Sequence, residues 1–286
     1  MITSSRSDFL IVRGLRYHVR IWGAPDAPPL FLLHGFMDTS ATFDPVASIL
    51  AEERRILAPD WRGFGLTEWA QDGYWFPEYL ADLEAIVEHY ASGSPFDMAG
   101  HSMGGQAAAL FAGLRPDRVK RLALLDSLML ADQKANTAVD RYRRWMDEVR
   151  KPTRAPTYAS FDQLAGRIRA KHPKLTPEGA AFVARCWGAE APGGRIELLS
   201  DPKHLRHGPK PYRQDESDAI WSKITAQVLF LDGAESPHRK GLSASELRRR
   251  RGQFKKRQQA QVPKAGHMLH FDAPEDTARL LARFFN

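Results

Sequence analysis

A serine surrounded by small residues is the feature that most restricts the fold of this chain. In "PFDMAGHSMGGQAAALF", residues 95–111, a short apolar run is followed by Gly100, Ser102 and Gly104 and then by a stretch with helical character. When a strand turns directly into a helix, the positions two before and two after the turn must be small, because they meet neighbouring backbone. We therefore predict a strand–turn–helix unit with the Ser102 hydroxyl exposed at the turn.

Apolar runs alternate with helical stretches along most of the chain. The continuous apolar run "PPLFLLHG" is typical of a strand buried on both faces of a sheet, and "RRILAPD", "VKRLALLD" and "AQVLFLD" predict further strands. Two further runs near the N-terminus, "DFLIVRG" and "LRYHVRIWG", predict a hairpin at one edge. This alternation predicts an α/β protein with a mostly parallel sheet and helices on both faces.

The alternation stops in residues 128–218, which contain many charges, prolines and aromatic residues but no strong strand signal. This segment lies between two predicted strands. We interpret it as a helical insertion over one edge of a core formed by residues 1–127 and 219–286. A chain of 286 residues is long enough for one domain with such an insertion.

Cysteine content and hydropathy bear on the cellular location of the protein. The chain has one cysteine, Cys186, so it can form no intrachain disulfide, which suits a reducing compartment. No run approaches eighteen consecutive apolar residues, so we predict no membrane span. The N-terminal residues lack the apolar segment of a signal peptide, and we therefore expect a cytoplasmic protein.

A basic run stands out in a chain whose net charge is +7. The segment "ELRRRRGQFKKRQQ", residues 246–259, contains much of the excess positive charge. Runs of this kind suit nucleic acid or anionic surfaces, but no nucleic-acid-binding motif accompanies this one. We favour a solvated helix face and expect no specific nucleic-acid partner.

A serine nucleophile needs a base that accepts its proton. The segment "AGHMLHFDAPED" places His267 on a loop between the last predicted strand and the last predicted helix. His270 is an alternative base, but its apolar neighbours favour packing beside the site. We predict His267 as the base.

An acyl-transfer site also needs donors that stabilise an oxyanion. In "FLLHGFMD", the backbone N–H of Phe36 follows the end of a predicted buried strand, and Met103 directly follows the serine. We predict these two N–H groups as an oxyanion hole. For His34 and His101, which lie inside the turns, we expect structural hydrogen bonds.

Four segments, "HGF", "DWRGFGLTEW", "GHSMGG" and "GHMLHFDAPED", resemble in order and spacing the α/β-hydrolase fold superfamily, and the resemblance covers nearly the whole chain. It implies a mostly parallel eight-stranded sheet, a helical cap (lid) domain in residues 128–218, and an enzyme that acts on a small molecule. The chain has no metal-ligand spacing and no phosphate-binding glycine loop, so we expect neither a metal nor a cofactor.

The acid that orients the base is ambiguous in this resemblance. Most members of the superfamily place it after the seventh strand, three residues after a glycine. Counting from Gly233 in "FLDGAESPH" leads to Ser236, whereas Glu235 lies one residue early and Asp232 precedes the glycine. The chain therefore departs from the common pattern.

A minority of the superfamily, which includes haloalkane dehalogenases, places the acid after the sixth strand. The corresponding strand here, "RLALLDS", ends at Asp126, 24 residues after Ser102, and this matches the spacing of that minority. Carboxyl ends of strands in open α/β sheets are also where ligand-site residues gather. We predict Asp126 as the acid and keep Glu235 and Asp232 as alternatives.

The type of nucleophile narrows the reaction. An aspartate at the elbow forms alkyl-enzyme esters in dehalogenases and epoxide hydrolases, whereas a serine suits attack on an acyl carbonyl. We predict hydrolysis of a carboxylic ester, thioester or lactone. The resemblance leaves open a C–C bond hydrolase, an amidase, a perhydrolase and a receptor without turnover. Trp75, Trp145 and Trp187 are candidates for lining an apolar substrate pocket.

Overall fold

A computed structural model describes residues 4–132, 135–237 and 242–286. Its strands are β1 Arg6–Val12, β2 Leu15–Trp22, β3 Pro29–Leu33, β4 Arg55–Pro59, β5 Phe96–His101, β6 Val119–Leu125, β7 Thr157–Tyr158, β8 Gly188–Ala191, β9 Arg195–Leu198, β10 Gln227–Gly233 and β11 Arg257–Val262. Its α-helices are α1 Asp44–Leu50, α2 Phe76–Ala91, α3 Met103–Leu114, α4 Ala138–Val149, α5 Phe161–Lys171, α6 Pro177–Trp187, α7 Gln214–Trp221, α8 Ala244–Gly252, α9 Leu269–Asp272 and α10 Pro274–Phe285.

The main sheet has eight strands in the order β1-β2-β4-β3-β5-β6-β10-β11 within the described residues. The strands from β4 to β11 run parallel, while β1 and β2 form an antiparallel hairpin and β2 is antiparallel to β4. Central strands such as β3 and β5 are buried along nearly their whole length, as their continuous apolar runs predict. The predicted mostly parallel sheet with an edge hairpin is confirmed.

Helices cover both faces of the main sheet. On one face α2 and α3 pack through residues such as Leu83, Ile86 and Ala108. On the other face α1 and α10 pack through residues such as Val46 and Leu281. Helices α1, α2 and α10 bury a stripe at intervals of three and four residues and leave the opposite side in solvent, whereas α3 is buried all round from Gly104 to Gly113. This arrangement places the carboxyl ends of the parallel strands at one edge, where their loops meet.

Residues 128–218, called the insert below, contain α4, α5, α6 and the beginning of α7, together with a three-stranded antiparallel sheet in the order β7-β9-β8. The sequence analysis finds no strong strand signal in the insert, but the structure has these three short strands beside its helices. These strands have only two to four residues, and β8 reads "GAEA". Strand β9, "RIEL", does alternate polar and apolar residues, but segments of two to four residues are too short for a recognisable period-two signal.

The insert packs on the core through its own apolar cluster. Leu164, Ile168 and Val183 from α5 and α6 join Met268 and Phe271, which follow His267 in the chain. Helix α7 runs across the predicted boundary at residue 218 and packs on α3 of the core. The division of the chain into a core and a cap stays a prediction.

The basic run matches the expectation of solvated charge at Arg248, Arg249, Lys255, Lys256 and Arg257, which are exposed, but differs from it at two arginines. Helix α8 ends at Gly252, and the side chains of Arg250 and Arg251 are buried. Arg251 pairs with Asp232, and Arg250 donates to Glu246 and to the carbonyl oxygen of Leu128. A planar guanidinium with five donors can be buried when its partners are supplied in this way. Asp232 and Leu128 are distant in sequence from the arginines that they contact, so the sequence does not reveal them as partners.

None of the helices in the described part of the chain is long and apolar enough to cross a membrane.

Candidate active site

Ser102 occupies a tight turn between β5 and α3 with φ of 51° and ψ of −113°. A non-glycine residue in this region is strained, and such strain is typical of functional turns. The neighbouring glycines make the turn possible: a Cβ on Gly100 would lie 2.4 Å from the carbonyl oxygen of Gly104, and one on Gly104 would lie 2.2 Å from that of Leu33. The turn is the strand–turn–helix unit that the sequence predicts.

A chain of hydrogen bonds links Ser102, His267 and Asp126. His267 Nε2 lies 3.1 Å from Ser102 Oγ, and His267 Nδ1 lies 2.6 Å from Asp126 Oδ2. An ionised carboxylate only accepts hydrogen bonds, so Nδ1 donates to Asp126 and Nε2 accepts from the serine hydroxyl. This arrangement can move the serine proton to the imidazole while the carboxylate stabilises the resulting charge.

Asp126 follows β6 directly and is buried, with 1 % of its surface exposed. Its backbone N–H donates to Leu231 O on the neighbouring strand β10, which fixes the residue at the sheet edge. Its Oδ2 also accepts a hydrogen bond of 2.5 Å from Ser236 Oγ. Ser236 is the residue at the position where the common pattern of the superfamily has the acid.

The two alternative acids have other partners. Glu235 has a side chain that is 54 % exposed and forms an ion pair with Lys174. Asp232 is buried and accepts hydrogen bonds of 2.7 and 2.8 Å from Arg251. Of the three carboxylates weighed from the sequence, the structure brings Asp126 to the imidazole of His267.

The two candidate oxyanion donors flank the serine. A Cβ on Gly35 would lie 3.3 Å from Ser102 Cβ, so the loop that contains Phe36 passes against the nucleophile. Met103 is the first residue of α3, where backbone N–H groups have no partner within the helix. Within the described residues, neither the Phe36 N–H nor the Met103 N–H donates to another group.

His34 holds this loop in place. Its Nε2 accepts from the backbone N–H of Trp61 at 2.9 Å, so Nδ1 is the donor to Gly35 O at 2.8 Å. Burial lowers the pKa of His34, which favours this neutral form. The side chain has a structural hydrogen-bonding role, as its position in the turn predicts.

His101 ties the elbow to the loop of the base. Its Nε2 donates to His267 O at 2.8 Å, and the two rings lie 4.6 Å apart. His101 thereby connects the end of β5 to the loop that follows β11. The hydrogen bond restrains the backbone of the base itself.

A buried network beside the site was missed by the sequence analysis. His270 Nε2 donates to Asp38 Oδ2 at 3.1 Å, and Trp187 Nε1 donates to Asp38 Oδ1 at 2.8 Å. Burial raises the pKa of Asp38, but His270, His34 and Trp187 together lower it overall through hydrogen bonds and charge. No sequence signal connects these residues, because Asp38 and His270 are 232 positions apart.

Within the described residues, Asp38, His101 and His270 form a buried group whose geometry could hold a metal ion. One ligand atom from each lies within 4.8 Å of the others. The hydrogen bonds just described account for the positions of these side chains. The cluster therefore gives no argument for a bound metal ion.

A cavity of about 270 Å³ lies between the insert and the loop after Phe36. Trp187 is one of its lining residues. Trp75, which is 43 % exposed at the start of α2, and Trp145 on α4 are not among the described residues that line it. Their part in substrate binding stays a prediction.

Comparison with known protein families agrees with the observed fold. The alpha/beta hydrolase fold family matches residues 28–188, more than half of the chain. The chain belongs to this family, as the resemblance in its sequence implies, and the comparisons support hydrolase activity.

Individual relatives extend the match over the full length. The chain is 28% identical to the 3-hydroxybutyrate-oligomer hydrolase of Cupriavidus necator, over 95% of this chain and 92% of that protein. It is 23% identical to the 2-(acetamidomethylene)succinate hydrolase of Mesorhizobium japonicum, over 100% and 99%. The thioesterase domain from the curacin biosynthetic pathway has the same fold, with a TM-score of 0.86, 22% identity and 98% of each chain covered.

Proposed function

We propose that this protein is a serine hydrolase that cleaves a carboxylic ester, thioester or lactone through an acyl-enzyme. Ser102 is the nucleophile, His267 the base and Asp126 the acid, and the backbone N–H groups of Phe36 and Met103 form the oxyanion hole. The observation that supports this proposal most strongly is the hydrogen-bond chain from Ser102 Oγ through His267 to Asp126 Oδ2 at a strained elbow.

In the acylation step, Ser102 Oγ attacks the carbonyl carbon of the substrate while its proton passes to His267 Nε2. The carbonyl oxygen becomes an oxyanion that accepts hydrogen bonds from the two backbone N–H groups; losing one such donor typically costs about 10²–10³ in kcat. When the tetrahedral intermediate collapses, the imidazolium gives its proton to the leaving alcohol or thiol. The acyl group stays on Ser102.

Deacylation repeats these roles with water. His267 removes a proton from a water molecule, which attacks the acyl carbon, and the returning proton regenerates the Ser102 hydroxyl. Asp126 stabilises the imidazolium in both halves of the reaction and keeps Nδ1 protonated throughout. The base thus stays in the tautomer that accepts a proton at Nε2.

The name of one relative supports an ester substrate. The Cupriavidus protein is named for oligomers of 3-hydroxybutyrate, and hydroxy acids joined head to tail are linked by ester bonds. The same three side chains would also serve an amidase, a C–C bond hydrolase or a perhydrolase. A substrate panel with matched ester, thioester, amide and β-diketone compounds, with hydrogen peroxide added to the ester in one arm, separates these reactions. Single turnover without recycling would identify a receptor.

The nucleophile is tested by Ser102→Ala. We expect this variant to lose covalent labelling by a fluorophosphonate and to cleave a 4-nitrophenyl ester about 10⁴–10⁶ times more slowly. The low remaining activity would come from the oxyanion hole and substrate binding. The control is Ser245→Ala, which removes the hydroxyl of an exposed serine on α8. Labelling of Ser102→Ala at the level of the unmodified protein would refute the assignment.

The base is tested by comparing two histidines of one loop. His267→Ala should cost about as much as loss of Ser102, because members of such a unit act together. His270→Gln, which keeps an amide donor near Asp38, should retain most of the turnover per folded molecule. The reverse order of effects would move the base to His270.

A further inference from the structure

Residues of the core line one side of the cavity beside the candidate active site, and residues of the insert line the other. Its core side is formed by Met37, Asp38 and Thr39, which directly follow Phe36. Gly35 in the same loop lies against Ser102, and two residues of chain span at most about 8 Å. The loop that lines the cavity therefore also contacts the nucleophile, on the side of the proposed oxyanion hole.

The walls of this cavity are largely apolar. Helix α5 contributes Leu164 and Ile168, and Trp187 and Leu198 are among the other apolar residues on the insert side. The volume of about 270 Å³ lies just below the usual range of ~300–1,000 Å³ for small-molecule sites. The cavity suits a short apolar chain and is too small for a long lipid.

Two cations share the same face of α5. Leu164, Arg167, Ile168 and Lys171 lie at intervals of three and four residues, so they form one stripe, and all four line the cavity. Arg167 and Lys171 are exposed at its rim. Across residues 4–132, 135–237 and 242–286, neither side chain has an ion pair or a side-chain hydrogen bond.

The carboxylate in the lining does not neutralise these cations. Asp38 Oδ1 accepts from Thr42 and Trp187, and Asp38 Oδ2 accepts from His270. Its hydrogen-bonding capacity is directed into the buried network, away from the rim. The cavity thus combines an apolar interior with positive charge that has no protein partner among the described residues.

We infer that the substrate is an ester with a carboxylate at the end of a short apolar chain, which the cavity holds with its carboxylate against Arg167 and Lys171. This inference rests on the proposed ester hydrolysis and names its substrate class. A guanidinium and an ammonium one helical turn apart match a carboxylate, since charge-assisted hydrogen bonds to it are stronger than neutral ones.

The test compares two 4-nitrophenyl esters that differ by one charge. One is mono-4-nitrophenyl adipate, which has a free carboxylate, and the other is 4-nitrophenyl methyl adipate, in which that carboxylate is a neutral methyl ester. We expect kcat/KM to be about tenfold higher for the anionic ester at low salt, and this preference to shrink at 1 M salt. The double variant Arg167→Gln/Lys171→Gln should lose about tenfold on the anionic ester, mainly through KM, and change little on the neutral one.

Arg169→Gln provides a matched control, because Arg169 lies on the same helix about 200° away from Arg167 and does not line the cavity. This variant should leave both kcat/KM values within about twofold. Equal rates of the unmodified protein on the two esters, or equal losses on both in the double variant, would overturn the inference.

A binding measurement separates this inference from the reaction. Monomethyl adipate should bind the Ser102→Ala variant, and binding should weaken about tenfold with Arg167→Gln/Lys171→Gln added. If neither ester is cleaved in a Ser102-dependent way but this binding difference holds, the proposed function fails and the anion site stands. If Ser102-dependent cleavage occurs without any binding difference, the anion site fails alone.

Discussion

Two neighbouring strands of the main sheet end in acidic residues at the same edge, but these residues have different partners. Strand β6 is followed by Asp126, which contacts His267 Nδ1 at 2.6 Å. Strand β10, paired in parallel with β6, contains Asp232 and is followed by Glu235. The common pattern of the superfamily would place the acid after β10, and here the acid position after β6 is the one in contact with the imidazole.

The partners account for this difference. The guanidinium of Arg251 binds Asp232, and Lys174 from the insert binds Glu235. Ser236, at the common acid position, donates its hydroxyl to Asp126 Oδ2. The comparison teaches that a carboxylate at the right edge of a sheet is not enough. The cations and hydrogen-bond donors around each carboxylate decide which carboxylate contacts the imidazole of His267.

The largest effect is expected at the end of β6. Asp126→Asn should lower kcat/KM for a 4-nitrophenyl ester by about 10³–10⁴, because an amide can leave the imidazole in the wrong tautomer and carries no charge to stabilise the imidazolium. The near-isosteric change should preserve the fold, which circular dichroism and Tm would check. A loss of less than about tenfold would contradict the role of Asp126 and return the acid to the end of β10.

A carboxylate moved from one strand end to the other would sharpen the comparison. Ser236 Oγ lies 2.5 Å from Asp126 Oδ2, so a longer acidic side chain at position 236 reaches the region of the imidazole. We expect Asp126→Asn/Ser236→Asp to regain at least about tenfold of the activity lost in Asp126→Asn. The control is Asp126→Asn/Ser236→Asn, which adds similar volume without charge. Equal activity of the two double variants would show that the base cannot use an acid from β10.

Asp232 should affect stability and not turnover. Asp232→Asn removes the charge that compensates the buried guanidinium of Arg251, and breaking such a buried pair costs about 3 kcal/mol of unfolding free energy. We expect a Tm lower by several degrees and kcat per folded molecule within about twofold. Asp232→Asn/Arg251→Gln should recover part of the Tm. A variant with unchanged Tm and impaired kcat would assign Asp232 to the reaction.

Ser236→Ala should lower kcat/KM far less than Asp126→Asn does. The hydroxyl donates to the same oxygen of Asp126 that His267 contacts, and it helps to hold the carboxylate in place. Since a hydrogen bond to a charged group contributes about 1.5–3 kcal/mol, of which only part differs between ground and transition state, we expect kcat/KM to fall about three- to tenfold. Ser236→Thr, which keeps the hydroxyl, should retain most of the activity. Equal losses in both variants would indicate packing alone.

The parts of the site that sequence reasoning could predict depend on local sterics or on chain order. The elbow is one of them, since its glycines lie within two residues of Ser102. The base follows from its place between the last strand and the last helix. Asp126 followed from its spacing to Ser102 and from the absence of an acid three residues after Gly233. Whether Asp126 acts as the acid is what the variants above decide.

The remaining features depend on contacts between distant parts of the chain. Asp38 receives its hydrogen bonds from Trp187 and His270, 149 and 232 positions away, and no local pattern encodes that pairing. The buried arginines of α8 read as a solvated charge run, because the partners Asp232 and Leu128 lie in other parts of the chain, although Glu246 is on α8 itself. The strands of the insert are too short for a periodic signal. In each case a tertiary contact outweighs local composition.

The smallest effect is expected for Glu235, the residue nearest in sequence to the common acid position. Its side chain is 54 % exposed and pairs with Lys174 at the surface, and such pairs contribute only about 0–1 kcal/mol to stability. Glu235→Gln should therefore keep kcat/KM within about twofold and shift Tm by no more than a few degrees. Kinetics on the 4-nitrophenyl ester, with Asp126→Asn measured in parallel, give the contrast directly. A loss of a hundredfold or more in Glu235→Gln would mean that the loop after β10 moves during turnover and delivers Glu235 to His267, and the assignment of the acid to the end of β6 would then be wrong.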